Sequence, residues 1–406
     1  MEINTQTLSN GIRLVHHPVK NMVAHLGFTV HTGSRDEQDD EHGMAHFIEH
    51  VIFKGTKNRK AWHILSRMED VGGEINAYTT KEDTCVYASF LRQDYSRAME
   101  LIFDICFHSN FPQKEINREK NIIIDEILSY KDSPGELIFD EFEEQVFNGH
   151  AIGRSILGNE KNLLSFTREN IRKFMAENYS TEEMVISTVG DISFNRFVRL
   201  AEKYFGKAQH KNRLRSRIKP NSYFPEVKHI RKNTHQTHCI LGNTAYDAQD
   251  GRRTNLALLN NILGGPGLNS RLNMSLREKS GYSYHVESQY ISYSDTGLMT
   301  VYFGCDKDNF QKSLDLVLKE CKNLREKKLG TLQLSKAKKQ LLGQMAIAAD
   351  SREHLMLSMA KRMLLFNHVD SLEEINKKIE KVSAEKLLES ANDILDRNKL
   401  SILQYH

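Results

Sequence analysis

Between Glu41 and Gly55 the chain reads EHGMAHFIEHVIFKG, and three of its side chains, His46, Glu49 and His50, could together hold and use a metal ion. In the order H-x-x-E-H, two imidazoles stand one helical turn apart and a carboxylate lies between them, placed to act as general base toward water. With 18 histidines in 406 residues, the pattern arises by chance in about one chain of this composition in twenty. The surroundings of the five letters must therefore decide.

On a helix turning about 100° per residue, Met44, Phe47, Ile48, Val51 and Ile52 fall into one apolar stripe that faces a core. His46, Glu49 and His50 share the opposite face. This helix alone leaves two readings open, a solvated polar face and a metal site. A catalytic zinc takes three protein ligands and keeps one position open for water, so a third ligand is needed. In NREKNIIIDEILSY, Glu119 and Glu126 share a helix face two turns apart, Ile122 and Ile123 flank that face, and Asp125 points toward the polar side. A carboxylate on an apolar-flanked face needs a partner. On that ground Glu126 is preferred to Asp125 as the third ligand, the alternative being a structural carboxylate paired with arginine or lysine.

The elements that must position these residues belong to a chain of 406 residues, long enough for about two domains, each with its own core. With 39% hydrophobic and 27% charged residues it has an ordinary globular composition. Lys plus Arg number 56 against 53 Asp plus Glu, and a net charge of +3 points to neither nucleic acid nor an anionic membrane surface. The N-terminal MEINTQTLSNGIRLVHHP lacks the pattern of a secretory signal, and no apolar run approaches a membrane span. Five scattered cysteines (Cys85, Cys106, Cys239, Cys305, Cys321) without C-x-x-C are expected to be buried thiols in a cytoplasm-like compartment, and none is assigned to the metal. A cytoplasmic location is the expectation.

The pattern runs from strands to helices and then repeats. Strand-like runs at 11–32 precede the helix from about Gly43; INAYTTKEDTCVYASF is a second strand region, helices cover about 93–108 and 113–130, and MVISTVGDIS is a strand ending at Gly190. A basic, apolar-poor stretch at 207–223, KAQHKNRLRSRIKPNSY, has the composition of a linker. The second half offers a strand at HCILGNTAY, a helix through LALLNNIL, strands between Tyr282 and Tyr302, amphipathic helices over about 308–380 and a final SILQYH. An α+β fold in two similar tandem domains, residues 1–210 and 211–406, is the economical description.

HGMAHFIEHVIFKGT followed by GGEINAYTTKEDTCVY resembles the signature of the pitrilysin-type zinc peptidases, the inverzincins, and the likeness covers nearly the whole chain. The length is similar to that of their short branch, which includes the mitochondrial processing peptidase and its bacterial homologues. The resemblance implies a Zn2+ site of His46, His50 and Glu126, since the family's third ligand lies 76 residues beyond its second histidine, with Glu49 as general base and Glu119 supporting the site. It further implies an edge strand at Asn76 and Ala77 that binds peptide backbone. GGPGLNSRLNMSLREKSGYSY is similar to the family's C-terminal segment, which implies substrate contacts from Arg277 and Tyr284. The glycines at 264, 265 and 267 are followed by no G-K-[ST], which argues against a phosphate loop.

What the resemblance implies is a zinc endopeptidase acting on oligopeptides or unfolded segments, each chain forming half of a clam-like chamber made of mostly antiparallel sheets packed with helices. Metal residues and the arginine–tyrosine pair in one sequence imply a homodimer, with a heterodimer containing a related chain as the variant. The rival reading is a non-catalytic subunit or peptide-binding protein on the same fold.

Overall fold

The computed structural model describes residues 2–232 and 234–406. The chain forms two compact units, the first comprising Met1–Leu128, Arg154–Ile218 and Ile347–Ser371, the second Ser129–Gly153, Lys219–Ala346 and Leu372–His406.

The first sheet consists of β1 (Asn4–Thr7), β2 (Arg13–Pro18), β3 (Val23–Val30), β4 (Glu74–Thr79), β5 (Thr84–Leu91) and β6 (Met184–Gly190), in the order β1-β2-β6-β3-β5-β4. Every pair is antiparallel except β2 with β6. The second sheet contains β7 (Val227–Ile230), β8 (Thr237–Ala245), β9 (Ser283–Ser292), β10 (Gly297–Cys305) and β11 (Ser401–Tyr405), in the order β7-β11-β8-β10-β9, with β7 and β11 parallel. Superposing the two orders pairs β2 with β7, β6 with β11, β3 with β8, β5 with β10 and β4 with β9. The expected repeat of one α+β plan is thus present in the topology, with β1 an addition to the first sheet.

Helices α1 (Met44–Val51), α2 (Ala61–Glu69), α3 (Tyr95–His108), α4 (Gln113–Lys131), α5 (Pro134–Val146), α6 (Glu160–Ser165), α7 (Arg168–Asn178) and α8 (Phe194–Tyr204) belong to the first half. The second half supplies α9 (Arg253–Gly264), a π-helical turn (Asn273–Lys279), α10 (Phe310–Glu326), α11 (Thr331–Ala348), α12 (Arg352–Phe366), α13 (Leu372–Glu380) and α14 (Ala384–Ile394). The apolar stripe read for α1 is realised: Met44, Phe47, Ile48 and Val51 are buried and join Leu26, Phe28, Ile102 and Phe174 in the main core of the first unit. In the second unit Leu256, Leu259 and Leu263 of α9 pack with Val301 and Phe303 of β10 and Val317 of α10.

Each sheet carries a single further helix drawn from the other half of the chain. Met356, Met359 and Met363 of α12 pack on Val15, Val185 and Val189 of the first sheet, where Gly27 leaves the room that Met356 occupies. Ile138, Phe142 and Val146 of α5 pack on Ile240, Leu298 and Leu403 of the second. The units are therefore discontinuous and differ from the expected 1–210 and 211–406. The physical reason is that periodicity shows which face of a helix is apolar and is silent on which sheet will cover it.

The stretch expected to be a linker also differs in part. Residues 211–218 lie on the first unit, with Arg213, Arg215 and Arg217 in ion pairs to buried or half-buried carboxylates. All five cysteines are free and buried. Among the described residues no helix is long and apolar enough to cross a membrane.

Candidate metal centre

Helix α1 is only eight residues long, so packing and capping must hold it. Its N-terminus is set by Gly43 in the left-handed region (φ 98°) and by Glu37, whose two carboxylate oxygens accept the Gly43 and Ala45 N–H groups at 2.8 Å each. Burial raises the Glu37 pKa well above the usual carboxylate range, against the pull of those two bonds. An L side chain is excluded at Gly43 itself: a Cβ on it would stand 2.8 Å from the Cα of Gly158.

From this helix and from α4, His46, His50 and Glu126 bring one ligand atom each to within 4.8 Å of one another. The His46 Nε2 is 3.9 Å from one Glu126 oxygen, and the His50 Nε2 is 3.5 Å from the other. Donors bound at about 2.0–2.2 Å in tetrahedral geometry stand roughly 3.4 Å apart, so this set needs only a small contraction to close on zinc. The protonation states suit it too. Burial, and then the neighbouring His50, lowers His46 to about 4, which leaves its imidazole neutral at pH 7. Its Nδ1 is buried without a hydrogen-bond partner, leaving Nε2 as the nitrogen that faces the carboxylate.

Behind the site stands Glu119. Its buried carboxylate lies 3.3 Å from the His50 Nδ1 and 2.9 Å from the Lys54 ammonium. Burial works to raise the Glu119 pKa, but the hydrogen bonds from His50 and Lys54 outweigh it and hold the carboxyl below its usual range. A His50 proton on Nδ1 donated to Glu119 turns the Nε2 lone pair toward Glu126, the orientation a metal-binding imidazole requires. Glu119 thus lies against His50, while Glu126, with its side chain 43% exposed, is less costly to place than the flanking isoleucines suggested.

Glu49 lies on the same helix between the two histidines. Its pKa is raised, mainly by burial and further by Glu126, against the opposing pull of the Thr79 hydroxyl and His50. Thr79 ends β4, which is the edge strand of its sheet and packs against α1. Asn76 and Ala77 lie in the middle of that strand, with Asn76 exposed. Thr79, Lys54 and Glu37 were absent from the sequence reading. Only Lys54 left a signal there, because His46, His50 and Lys54 follow one another at steps of four.

Arg277 and Tyr284 belong to the second unit and stand together there, the guanidinium 5.1 Å from the centre of the exposed tyrosine ring. Arg277 comes from the π-helical turn and Tyr284 from β9, the edge strand of the second sheet. Helix α9 holds the place in that unit that α1 holds in the first, and its RTNLALLNNILG contains no histidine, cysteine or carboxylate.

The first unit thus combines its sheet plan with a two-histidine, one-glutamate cluster that could hold a metal ion, and the second unit repeats the topology without those residues. Residues 14–160 match the model described as Insulinase (Peptidase family M16), and residues 165–341 match Peptidase M16 inactive domain. A Bacillus subtilis protein named uncharacterized zinc protease YmxG is 33% identical over 387 residues, 95% of this chain and 94% of its own. The uncharacterized zinc protease SCO5738 of Streptomyces coelicolor is 31% identical over 99% of this chain and 89% of its own. Two solved structures share the fold at 20% identity. One is a protease from Helicobacter pylori (TM-score 0.92, 100% of this chain and 99% of that one); the other, from Pseudomonas fluorescens, is described as a peptidase M16 inactive domain (0.91, 100% and 98%). The chain belongs to peptidase family M16.

Proposed function

We propose that the protein is a zinc-dependent endopeptidase of oligopeptides or unfolded segments. The observation that carries the reading is the convergence of His46, His50 and Glu126 at one point with Glu49 beside it and Glu119 behind it. Relatives named zinc proteases support it, and the match to a domain described as inactive falls on residues 165–341, outside the metal set. Zinc, when bound, supplies Lewis acidity that brings the pKa of water toward about 7 and polarises a carbonyl.

The chain's own residues do the rest. Glu49 accepts the proton of the attacking water and returns it to the leaving amine, the two-way transfer for which a carboxylate with a raised pKa is suited. Glu119 and Lys54 keep the His50 ring from turning. β4 offers the free backbone groups of a sheet edge to an extended peptide, with Asn76 and Ala77 at its centre. Arg277 and Tyr284 are assigned donors for a peptide carbonyl. One chain carrying both sets supports a homodimer, and free buried thiols support a cytoplasmic setting.

The test is a broad library of quenched fluorescent oligopeptides incubated with purified protein. Cleavage that stops with a chelator and returns with about one zinc per chain is expected. Full zinc occupancy with no cleavage of any peptide would replace this reading with that of a non-catalytic subunit. Light scattering that shows a dimer of this chain alone would bear on the assembly.

A further inference from the structure

The arginines of RLRSR occupy alternate positions, and of the positions out of step with them Leu214 and Ile218 are 73% and 76% exposed. An extended chain sends alternate side chains to one side, and here that side is a row of carboxylates. Arg217 forks Asp36, Nε to one oxygen and Nη2 to the other, each at 2.9 Å, and Nη2 also donates to the Glu82 carbonyl at 2.7 Å. Arg213 reaches the same Asp36 and, at 3.2 Å, Glu183. Arg215 grips both oxygens of Glu41 and also meets Glu177. Two backbone bonds lay the segment down: Leu214 N–H to the Glu177 carbonyl at 2.9 Å, and Thr181 N–H to the Lys211 carbonyl at 3.0 Å.

Asp36 and Glu41 lie on either side of Glu37, the residue whose carboxylate binds the first amides of α1. The loop at 33–43 is therefore held between the arginines on one side and the metal helix on the other. Its other anchors include Ser34 N–H to the Thr80 carbonyl at 3.1 Å, Arg35 N–H to the Lys81 carbonyl at 2.9 Å and Arg35 to Glu82 at 2.6 Å, and, nearer its end, Arg154 to Asp39 and the His42 ring to the Ser155 carbonyl at 2.9 Å. A network of buried forked pairs is rigid in direction, because each guanidinium accepts only a narrow range of carboxylate orientations.

We propose that Arg213, Arg215 and Arg217 are positioning residues for the metal-binding helix: by pinning Asp36 and Glu41 they fix the loop whose Glu37 sets how α1 presents His46, Glu49 and His50. This rests on reading His46, His50 and Glu126 as the metal ligands.

The test uses the full chain as wild type and as Arg217→Gln, Arg217→Lys and Arg215→Gln, well below each melting temperature. Zinc affinity is measured by competition with a fluorescent chelator, and hydrogen–deuterium exchange of residues 43–51 is followed in metal-free protein. Arg217→Gln is expected to weaken zinc by about tenfold, the lower end for residues that orient ligands, and to speed exchange in the first turn of α1. Arg217→Lys keeps the charge without the fork and should fall between. Arg215→Gln, which leaves the Asp36 pairs intact, should show a smaller loss and covers the case in which Arg217→Gln does not fold. Variants that melt earlier yet bind zinc and exchange at α1 as the wild type does would overturn the proposal and leave the arginines a purely stabilising role. A wild type that binds no zinc would instead fail the ligand reading, and the exchange data alone would then decide the arginines.

Discussion

Glu119 meets the metal set through His50 alone, so its removal should act on orientation. Glu119→Ala frees the His50 ring and strands Lys54; zinc affinity is expected to fall about 10- to 100-fold, as measured by chelator competition. Unchanged affinity would show that packing alone orients the ring. The cluster of His46, His50 and Glu126 was legible because helical spacing places the two histidines on one face and the step from His50 to Glu126 matched the family resemblance. Costly burial does not single out Glu126. Ile122 is 41% exposed and Glu126 partly open, whereas Glu119 bears the burial. Thr79 and Glu37 could not be read, since each reaches the site across a turn whose path no local pattern records.

At the scale of elements, the short metal helix depends on a close approach of two glycines. A Cβ on Gly158 would stand 2.5 Å from the Cα of Gly43, and both residues have positive φ. Gly158→Ala should therefore cost more than about 3 kcal/mol, combining the left-handed backbone penalty with a clash against main chain. Gly149 shares a positive φ of 74° but has open space around it, so Gly149→Ala should cost only about 1–2 kcal/mol. Denaturant melts of the two variants make the comparison, and equal losses would contradict the role given to the Gly43–Gly158 contact. The strands and long helices were largely legible from their periods, β4 and β5 around the TKED turn being a clear case. Helix α12 falls within the helical span expected at about 308–380 and was hidden only in the sheet it covers, whereas α5 at Pro134–Val146 was not among the expected helices.

For the whole molecule, distant segments are tied by charge as well as by core. Burial would raise the Asp36 carboxyl, but Arg217, then Arg213, and the Gly33 N–H overcome it and hold the pKa below its usual value. A carboxyl lowered in the folded state adds stability that is present above its unfolded value of about 3.9 and is lost as pH falls through the folded one. Asp36→Asn takes the shared carboxylate from Arg213 and Arg217, leaving them Glu183 and the Glu82 carbonyl, a loss of about 3 kcal/mol at pH 7, and its melting temperature should begin to converge on the wild type's only below about pH 4, as Asp36 of the wild type protonates. A gap that stays constant with pH would mean that packing, and not charge, carries the effect. Composition marked 207–223 as a linker because it counts charges without their alternation, and the alternation of Arg213, Arg215 and Arg217 was the missed signal. The repeated plan, by contrast, was visible in the order of strands and helices and recurs in both sheets. Whether Glu49 serves as the base of a working zinc peptidase site is read by comparing wild type with Glu49→Gln for zinc content and peptide cleavage together. About one zinc per chain is expected in both, with a rate in the variant lower by about 100- to 10,000-fold; equal cleavage by the zinc-loaded variant would exclude that role.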